Sequence, residues 1–411
     1  MPLPARNSIA IVGAGPIGLE AALAALDSGF DAHVFERGEV GSHPVAWGHV
    51  RMFTPWRMNL GPRSLEHLCA SGWSPPDPDE FPAGLVYAGR CLQPIARLPE
   101  LKDRVHTHAQ VVHVSRRGAL KGDSIGKAER REHPFRLLVR EAGGRENFLH
   151  AFATIDASGV YGQPSRAGDG GIPARGELYL APQMSYHLDD VLGLRRERYA
   201  GKRTLVIGAG ASAATVVSDL ARLADQAPGT AVVWATRRPG DSIYPVIEGD
   251  PLPERRALHE RARGLARGEH PAVQHVGDAV VEGFEFNSAT HRYRVTLRLG
   301  EQPRVEEVDQ VIVNTGFGPD DSIYRELQVH ECYASRAPMK LAAALLGAGA
   351  GDCLTTPAFG ADVLANPEPD FFILGHKSYG RSSNFLLETG FKQVADVITM
   401  LAKGLGVSTA V

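Results

Sequence analysis

Apolar and polar positions along the chain fall into an order that occurs twice: a short β-branched run, a glycine-rich turn, then apolar positions at helical spacing. The first copy begins at Ser8-Ile9-Ala10-Ile11-Val12, an apolar run of the kind that forms a buried parallel strand. Gly13-Ala14-Gly15-Pro16-Ile17-Gly18 follows. Ile17, Leu19, Ala21, Ala22, Leu23 and Leu26 then mark the apolar face of a helix that stops at Ser28-Gly29. Ala32-His33-Val34-Phe35-Glu36 predicts a second strand. The other copy lies about 195 positions on, with a strand over 204–207, the turn Gly208-Ala209-Gly210-Ala211-Ser212-Ala213, and a helix carried by Ala214, Val217, Leu220 and Leu223. Its next strand, Ala231-Val232-Val233-Trp234-Ala235-Thr236, ends in Arg237-Arg238.

Between and beyond these units the pattern predicts a hairpin over 111–114 and 135–140. The polar stretch inside it, with Arg116, Arg117, Lys121, Glu129, Arg130 and Arg131, predicts a long exposed connection. An apolar strand over 153–157 ends in Ala157-Ser158-Gly159, small residues that permit close approach of backbone to a ligand. The Gly- and Pro-rich run 162–176 predicts the crossing into a second domain. That domain carries a helix over 253–268 and paired strands over 283–287 and 293–299. The run 308–314, followed by Thr315-Gly316, resembles a second copy of the strand ending at Gly159 and predicts the return to the first domain. A helix end and loop over 342–351, a last strand over 371–374 and a helix over 389–401 complete the chain. The fold expected is α/β, with two Rossmann-like dinucleotide-binding domains. The first is discontinuous (1–165 and 308–411), and the second is inserted as 166–307.

Each part of the turns has a mechanical reason. Gly13 permits the tight turn, Gly15 lets backbone approach a pyrophosphate, and Gly18 lets the helix pack on the strand. The positive end of the helix stabilises phosphates. Glu36 stands 18 positions after Gly18, where a carboxylate binds ribose hydroxyls. That charge repels a 2′-phosphate, so the first site suits FAD or NAD rather than NADP. In the second copy Gly208, Gly210 and Ala213 repeat the pattern, but Arg237 and Arg238 replace the acid. Guanidinium groups hold a 2′-phosphate by charge-assisted bonds, so this site reads as one for NADPH.

Composition narrows the picture. The 411 residues suffice for two or three domains, and 43% hydrophobic with 22% charged residues is the balance of a globular protein with a sizeable core. A net charge of −3 argues against a nucleic-acid partner. No apolar stretch reaches the ~20 residues that span a bilayer, and the opening Met1 to Arg6 leads straight into the first strand, so a cytoplasmic location is expected. Cys69, Cys91, Cys332 and Cys353 are scattered without a Cys-x-x-Cys, which removes support for a structural zinc or a redox-active dithiol motif. His106-Thr107-His108 reads as a pair of surface histidines, and no metal site is expected.

With these motifs in order, the chain resembles the flavin-containing monooxygenases and the related N-hydroxylating monooxygenases. The resemblance favours FAD in the first site and NADPH in the second. The loop Gly38 to Trp47 is similar to the family's loop that carries a Trp beside the flavin, and Asn59 sits where the family places residues near the isoalloxazine. Gly375-His376-Lys377-Ser378-Tyr379-Gly380 through Asn384-Phe385-Leu386-Leu387 is similar to the segment over the flavin's pyrimidine edge. The family's Phe-x-Gly-x-x-x-His has its counterpart at 181–187, where His187 is retained. The resemblance implies catalytic roles for Asn59, His187, Lys377 and Asn384, and cofactor contacts from Arg37, Trp47, Arg51, Val112, Gly375 and Phe385 besides the fingerprint residues. It also implies a monooxygenase in which FAD reduced by NADPH adds O₂ at C4a, and the hydroperoxide oxygenates a small nitrogen or sulfur nucleophile. Two other functions remain open: an NADPH-dependent flavin reductase serving a thiol, quinone, metal, metalloid or protein acceptor, and a non-catalytic redox sensor. Self-association is also left open.

Overall fold

The β-branched runs form parallel strands because both faces of each are covered, which leaves no polar side to alternate. The computed structural model describes residues 3–244, 246–348 and 359–405. The chain divides into two units, one of Met1–Gly48, Thr54–Gln163 and Gly318–Val411, the other of His49–Phe53 and Pro164–Phe317. In the first, five parallel strands lie in the order Phe371–Ile373, Ala153–Asp156, Ser8–Val12, Asp31–Phe35 and Val105–His106. An antiparallel meander of Ala109–Arg116, Phe135–Glu141 and Glu146–Ala151 packs Val111, Val114, Phe135 and Leu137 against Val12, Phe35 and Phe371 of that sheet.

The helix Pro16–Asp27 packs along Leu387–Leu405 and along Pro62–Ala70. Glu20 is buried among the apolar positions of the first of these helices. Its carboxylate accepts the N–H groups of Arg63 and Ser64, each at 2.9 Å, and so satisfies the start of the helix Pro62–Ala70.

The second unit repeats the plan. Four parallel strands lie in the order Val273–Val276, Ala231–Ala235, Arg203–Ile207 and Gln310–Val313, accompanied by a meander of Ala279–Asn287, Arg292–Leu299 and Gln302–Val308. This corrects one expectation. The strand at 310–313 does copy the one at 153–156, but it pairs Val311 with Leu205 and belongs to the second unit. The boundary therefore falls between Phe317 and Gly318 rather than before 308. The physical reason is pairing: an apolar run of four joins whichever parallel strand is open beside it, and here that is Arg203–Ile207.

A second correction concerns the polar stretch after Arg116. Lys121 and Glu129 are exposed, but Arg116 and Arg130 are buried. Arg116 Nε lies 2.7 Å from Glu368 Oε1, and Arg130 Nη2 lies 2.9 Å from Glu368 Oε2. The backbone N–H of Gln328 donates to the same carboxylate at 2.8 Å. The acid that makes these cations internal lies more than 230 positions away, out of reach of any local pattern. Of the two histidines expected at the surface, His108 is exposed beside Glu39. His106 is half-buried, stacked on Phe35 and bonded to His33 at 3.0 Å.

Candidate functional site

At the first turn, backbone alone explains two of the three glycines. Gly13 has φ +102°, and a Cβ there would meet the Ala157 carbonyl oxygen at 2.8 Å. A Cβ on Gly18 would overlap the Gly13 carbonyl oxygen. Gly15 differs: its backbone is extended (φ −85°, ψ −174°), and nothing lies within 4 Å of where a Cβ would be. The protein leaves that space open at the start of a helix with Pro16 in its first turn and no side-chain cap. Unsatisfied N–H groups and the helix dipole make such a place suited to an anion.

Glu36 closes the turn. Its Oε2 accepts the Ala14 N–H at 2.9 Å and its Oε1 accepts the Gly38 N–H at 2.8 Å. Each oxygen keeps a lone pair for a further donor. Two adjoining clefts share Gly13, Glu36, His43, Ser158 and Gly159. Of the residues singled out from sequence, Gly13, Gly15, Pro16, Ile17, Glu36, Arg37, Ala157, Ser158, Gly159, Gly375, Lys377 and Phe385 all line one or both. Gly18 lies beneath them.

Lys377 is fully buried, and its ammonium donates to Asp156 Oδ2 at 2.6 Å and to Ser158 Oγ at 3.0 Å. Asp156 Oδ1 in turn accepts the Ser158 N–H and hydroxyl. The ion pair thereby ties the strand end 156–159 to the segment 375–379, and Lys377 acts here as a brace. Gly375 has φ +73°, and a Cβ there would come within 3.1 Å of Ile17 Cγ1. Phe385 stacks on His376 at 5.6 Å and 7°, and His376 donates its Nε2 proton to the Ser382 carbonyl at 3.2 Å. Burial pushes the His376 pKa down, so the cleft is offered a neutral ring at pH 7.

Several residues chosen from sequence lie elsewhere. Asn59 is buried with its amide spent on the loop before it. Nδ2 donates to the carbonyls of Thr54 and Pro55 at 2.8 and 2.9 Å, and Oδ1 accepts the Thr54 hydroxyl at 2.7 Å. It is a structural asparagine. Trp47 lays its ring over Gly84 and lines neither cleft. Arg51 belongs to the second unit and pairs with Glu254 at 3.1 Å. Val112 falls on a bulge where the strand register skips a residue, so Gln110 and Val111 face the cleft in its place. Asn384 is half-buried beside Phe385, outside the lining of either cleft.

Sequence reasoning missed His43, His376, Gln110, Val111 and Asp320, which also line the clefts. The first four lie within two positions of a quoted motif or residue. Asp320 has no local signal.

The second turn repeats the geometry of the first. Gly208 has φ +136°, and a Cβ there would overlap the Asn314 carbonyl, whereas the space at Gly210 is open. Ala211 and Ser212 begin the helix Ala211–Gln226, and Ala213 is fully buried, so alanine suffices in the third place. Trp234 Nε1 donates to the Gly208 carbonyl at 2.8 Å, and the Tyr244 hydroxyl to the Gly210 carbonyl at 3.0 Å. Arg237 and Arg238 are exposed, and among the described residues no carboxylate pairs with either. His187 lies in this unit, stacked on Phe317 at 5.5 Å and accepting the Asn314 amide on its carbonyl at 3.3 Å. Burial lowers its pKa. It therefore stands by the strand that closes the second glycine turn.

No protein-family model matches the chain, and no curated protein matches it. Solved structures do. The bacillithiol disulfide reductase Bdr (YpdA) of Bacillus cereus aligns with 97% of this chain and 99% of its own, at 17% identity and a TM-score of 0.70. The ornithine N-hydroxylase KtzI of Kutzneria sp. 744, seen with reduced FAD, NADP⁺ and L-ornithine, aligns over 98% and 100% at 16% identity and 0.63. The thioredoxin reductase of Lactococcus lactis aligns over 97% and 99% at 13% identity and 0.59. What this likeness shows is the fold: the chain has that of the FAD/NADPH oxidoreductases with two dinucleotide-binding domains, the fold that N-hydroxylating monooxygenases and disulfide reductases share.

Proposed function

We propose that the protein is an FAD- and NADPH-dependent oxidoreductase, and that it acts as a monooxygenase on a small nitrogen or sulfur nucleophile. The observation that carries the reading is the pair of open spaces at Gly15 and Gly210, each at the start of an uncapped helix. One is followed by a carboxylate and the other by two cations without a carboxylate partner among the described residues. The residues fit the two groups. In the first unit the helix start and Gly15 hold the pyrophosphate of FAD, Glu36 accepts ribose hydroxyls, and Lys377 keeps the 156–159 turn in place through Asp156. His376 and Phe385, stacked as a neutral wall, exclude water from the cleft. In the second unit Arg237 and Arg238 take the 2′-phosphate of NADPH. FAD held there would supply the redox chemistry, two-electron transfer from NADPH and reactivity toward O₂.

Oxygenation is favoured over a dithiol relay by the thiols. Cys69, Cys91 and Cys332 are free, and none lines either cleft. Burial pushes the Cys91 thiol up to about 12, where it is protonated at neutral pH. Cys353 lies outside the described residues. The test is anaerobic reduction by NADPH, followed by ¹⁸O₂ with a panel of primary amines and thioethers. Label in a product supports the reading, and turnover on disulfides or quinones that is as fast without O₂ overturns it.

One observation favours a second reading, a reductase that passes electrons to a thiol or disulfide. Hydrogen bonds from the Ser335 hydroxyl, the Ser335 N–H and the Ala334 N–H hold the Cys332 thiol below its ordinary pKa. The readings part on mutation. Replacing Cys69, Cys91, Cys332 and Cys353 together with Ser is expected to leave NADPH oxidation largely intact. If Cys332→Ser alone stays folded and flavin-loaded yet loses substrate-dependent turnover, the thiol-using reading replaces the oxygenase.

Cofactor preference is a second expected result. NADPH should outcompete NADH in reducing the flavin, and replacing Arg237 and Arg238 with Ala should cost roughly 1.5–3 kcal/mol of NADPH binding, about tenfold to a hundredfold. NADH should be little affected. Steady-state KM values for both cofactors check this, and an unchanged preference in the double variant refutes the assignment.

A further inference from the structure

The two arginines at the end of the strand Ala231–Ala235 are exposed, and what directs them is the backbone of the turn that carries them. That turn is held by one buried hydroxyl. Thr236 is 1% exposed, its N–H donates to the Val276 carbonyl at 3.0 Å, and its carbonyl accepts the Ala279 N–H at 2.9 Å. Its hydroxyl lies 2.6 Å from the Arg238 carbonyl oxygen and 2.9 Å from His275 Nε2. A carbonyl can only accept, so the single hydroxyl proton goes to Arg238. The His275 nitrogen must then be the donor to Thr236 Oγ1. The result is a relay with one direction, from the His275 N–H through the Thr236 hydroxyl to the Arg238 carbonyl.

The far end of the relay is fixed as well. His275 stands in the strand Val273–Val276 opposite Trp234, with its ring edge-on to the indole at 5.1 Å and 67°. The turn is also seated on Gly277, where a Cβ would come within 3.0 Å of Pro239 Cα and 3.3 Å of the Arg238 carbonyl oxygen. The backbone from Thr236 to Gly240 therefore rests on a platform that holds the Arg238 carbonyl oxygen through the buried Thr236 hydroxyl, while the exposed Ser242 hydroxyl donates to the neighbouring Pro239 carbonyl at 3.1 Å.

We propose that Thr236 and His275 are positioning residues that determine specificity for an adenosine 2′-phosphate. They set the Arg238 carbonyl and so aim both guanidinium groups at one anion. This rests on the reading that the second unit holds NADPH. Neither residue touches the phosphate; they act through Arg237 and Arg238. A bidentate guanidinium contact depends on orientation, so a turn released from the relay loses selectivity while the glycine turn at 208–213, which binds the part common to NADH and NADPH, is untouched.

The experiment titrates the flavin-loaded full chain with 2′,5′-ADP and with 5′-AMP, which lacks only the 2′-phosphate. The variants are Thr236→Val, Thr236→Ser and His275→Phe, with thermal midpoint and flavin content measured alongside. The unaltered protein is expected to prefer 2′,5′-ADP by about tenfold or more. Thr236→Val and His275→Phe should each weaken 2′,5′-ADP by about three- to tenfold with 5′-AMP nearly unchanged, and Thr236→Ser should restore the preference. If the unaltered protein does not discriminate, the NADPH reading fails and the proposal with it. If it discriminates and Thr236→Val and His275→Phe keep the ratio, or weaken both ligands equally, the reading stands and the positioning role is overturned. Should Thr236→Val not fold, His275→Phe decides alone.

Discussion

Replacing Gly15 with valine is expected to give a folded protein that emerges from purification without flavin. The substitution separates binding from folding because of where the space lies. Gly13 and Gly18 are walled in by backbone, so any side chain there disturbs the turn itself. At Gly15 the backbone is extended, a conformation valine favours, and no protein atom stands within 4 Å of the Cβ position. The new side chain therefore meets only the ligand. FAD content should fall from near one per chain to below about 0.1; passing from nine-tenths to one-tenth occupancy takes an about eightyfold loss of affinity, or about 2.6 kcal/mol. The absorbance of the purified protein at the flavin bands, set against its far-ultraviolet circular dichroism, reads both quantities. A folded Gly15→Val protein that keeps its full flavin would show that the first turn is not where the pyrophosphate lies.

Glu368→Ala should be the most destabilising single change in the first unit. The carboxylate is fully buried between Arg116 and Arg130, and its removal leaves two guanidinium groups unpaired in the interior. Breaking a buried ion pair from one side costs about 3–5 kcal/mol, and the apparent thermal midpoint should fall by many degrees. A loss below about 1 kcal/mol would mean the cations find other partners or water.

The same carboxylate carries a pH dependence. Burial opposes its charge, but the hydrogen bonds from Arg130, the Gln328 N–H and Arg116 outweigh that, and its pKa lies below the ordinary value. Its contribution is therefore present above the unfolded carboxylate's pKa, and it is lost as pH falls through the lower folded value. Acid should destabilise the unaltered protein more than the Glu368→Ala variant. Parallel denaturation curves at pH 7 and pH 4 compare them.

The expectation of a long exposed connection failed at these residues for a simple reason. Arg116 and Arg130 read as solvated because charge runs usually are, and nothing within 200 positions announces the acid that receives them. The strand at 310–313 shows a related limit. Its apolar pattern predicts a parallel strand with a ligand-facing end, but pattern does not say which sheet it enters. Pairing with Arg203–Ile207 decides that.

The site divides along the same line. Features whose physics is local were legible in the amino-acid sequence: both glycine turns, the acid after one and the arginines after the other, and the small residues of Ala157-Ser158-Gly159. Each is a requirement on a few consecutive dihedrals or on the residue that ends a strand, so order and spacing suffice to state it. From them followed the α/β class and the two dinucleotide-binding units. Roles that depend on which atom reaches which could not be read that way. Asn59 spends its amide on its own loop, Trp47 covers Gly84, Arg51 pairs with Glu254, and Lys377 braces Asp156. Polar side chains are placed by partners tens or hundreds of residues away, and only the tertiary structure brings those partners within the 3 Å at which a hydrogen bond forms.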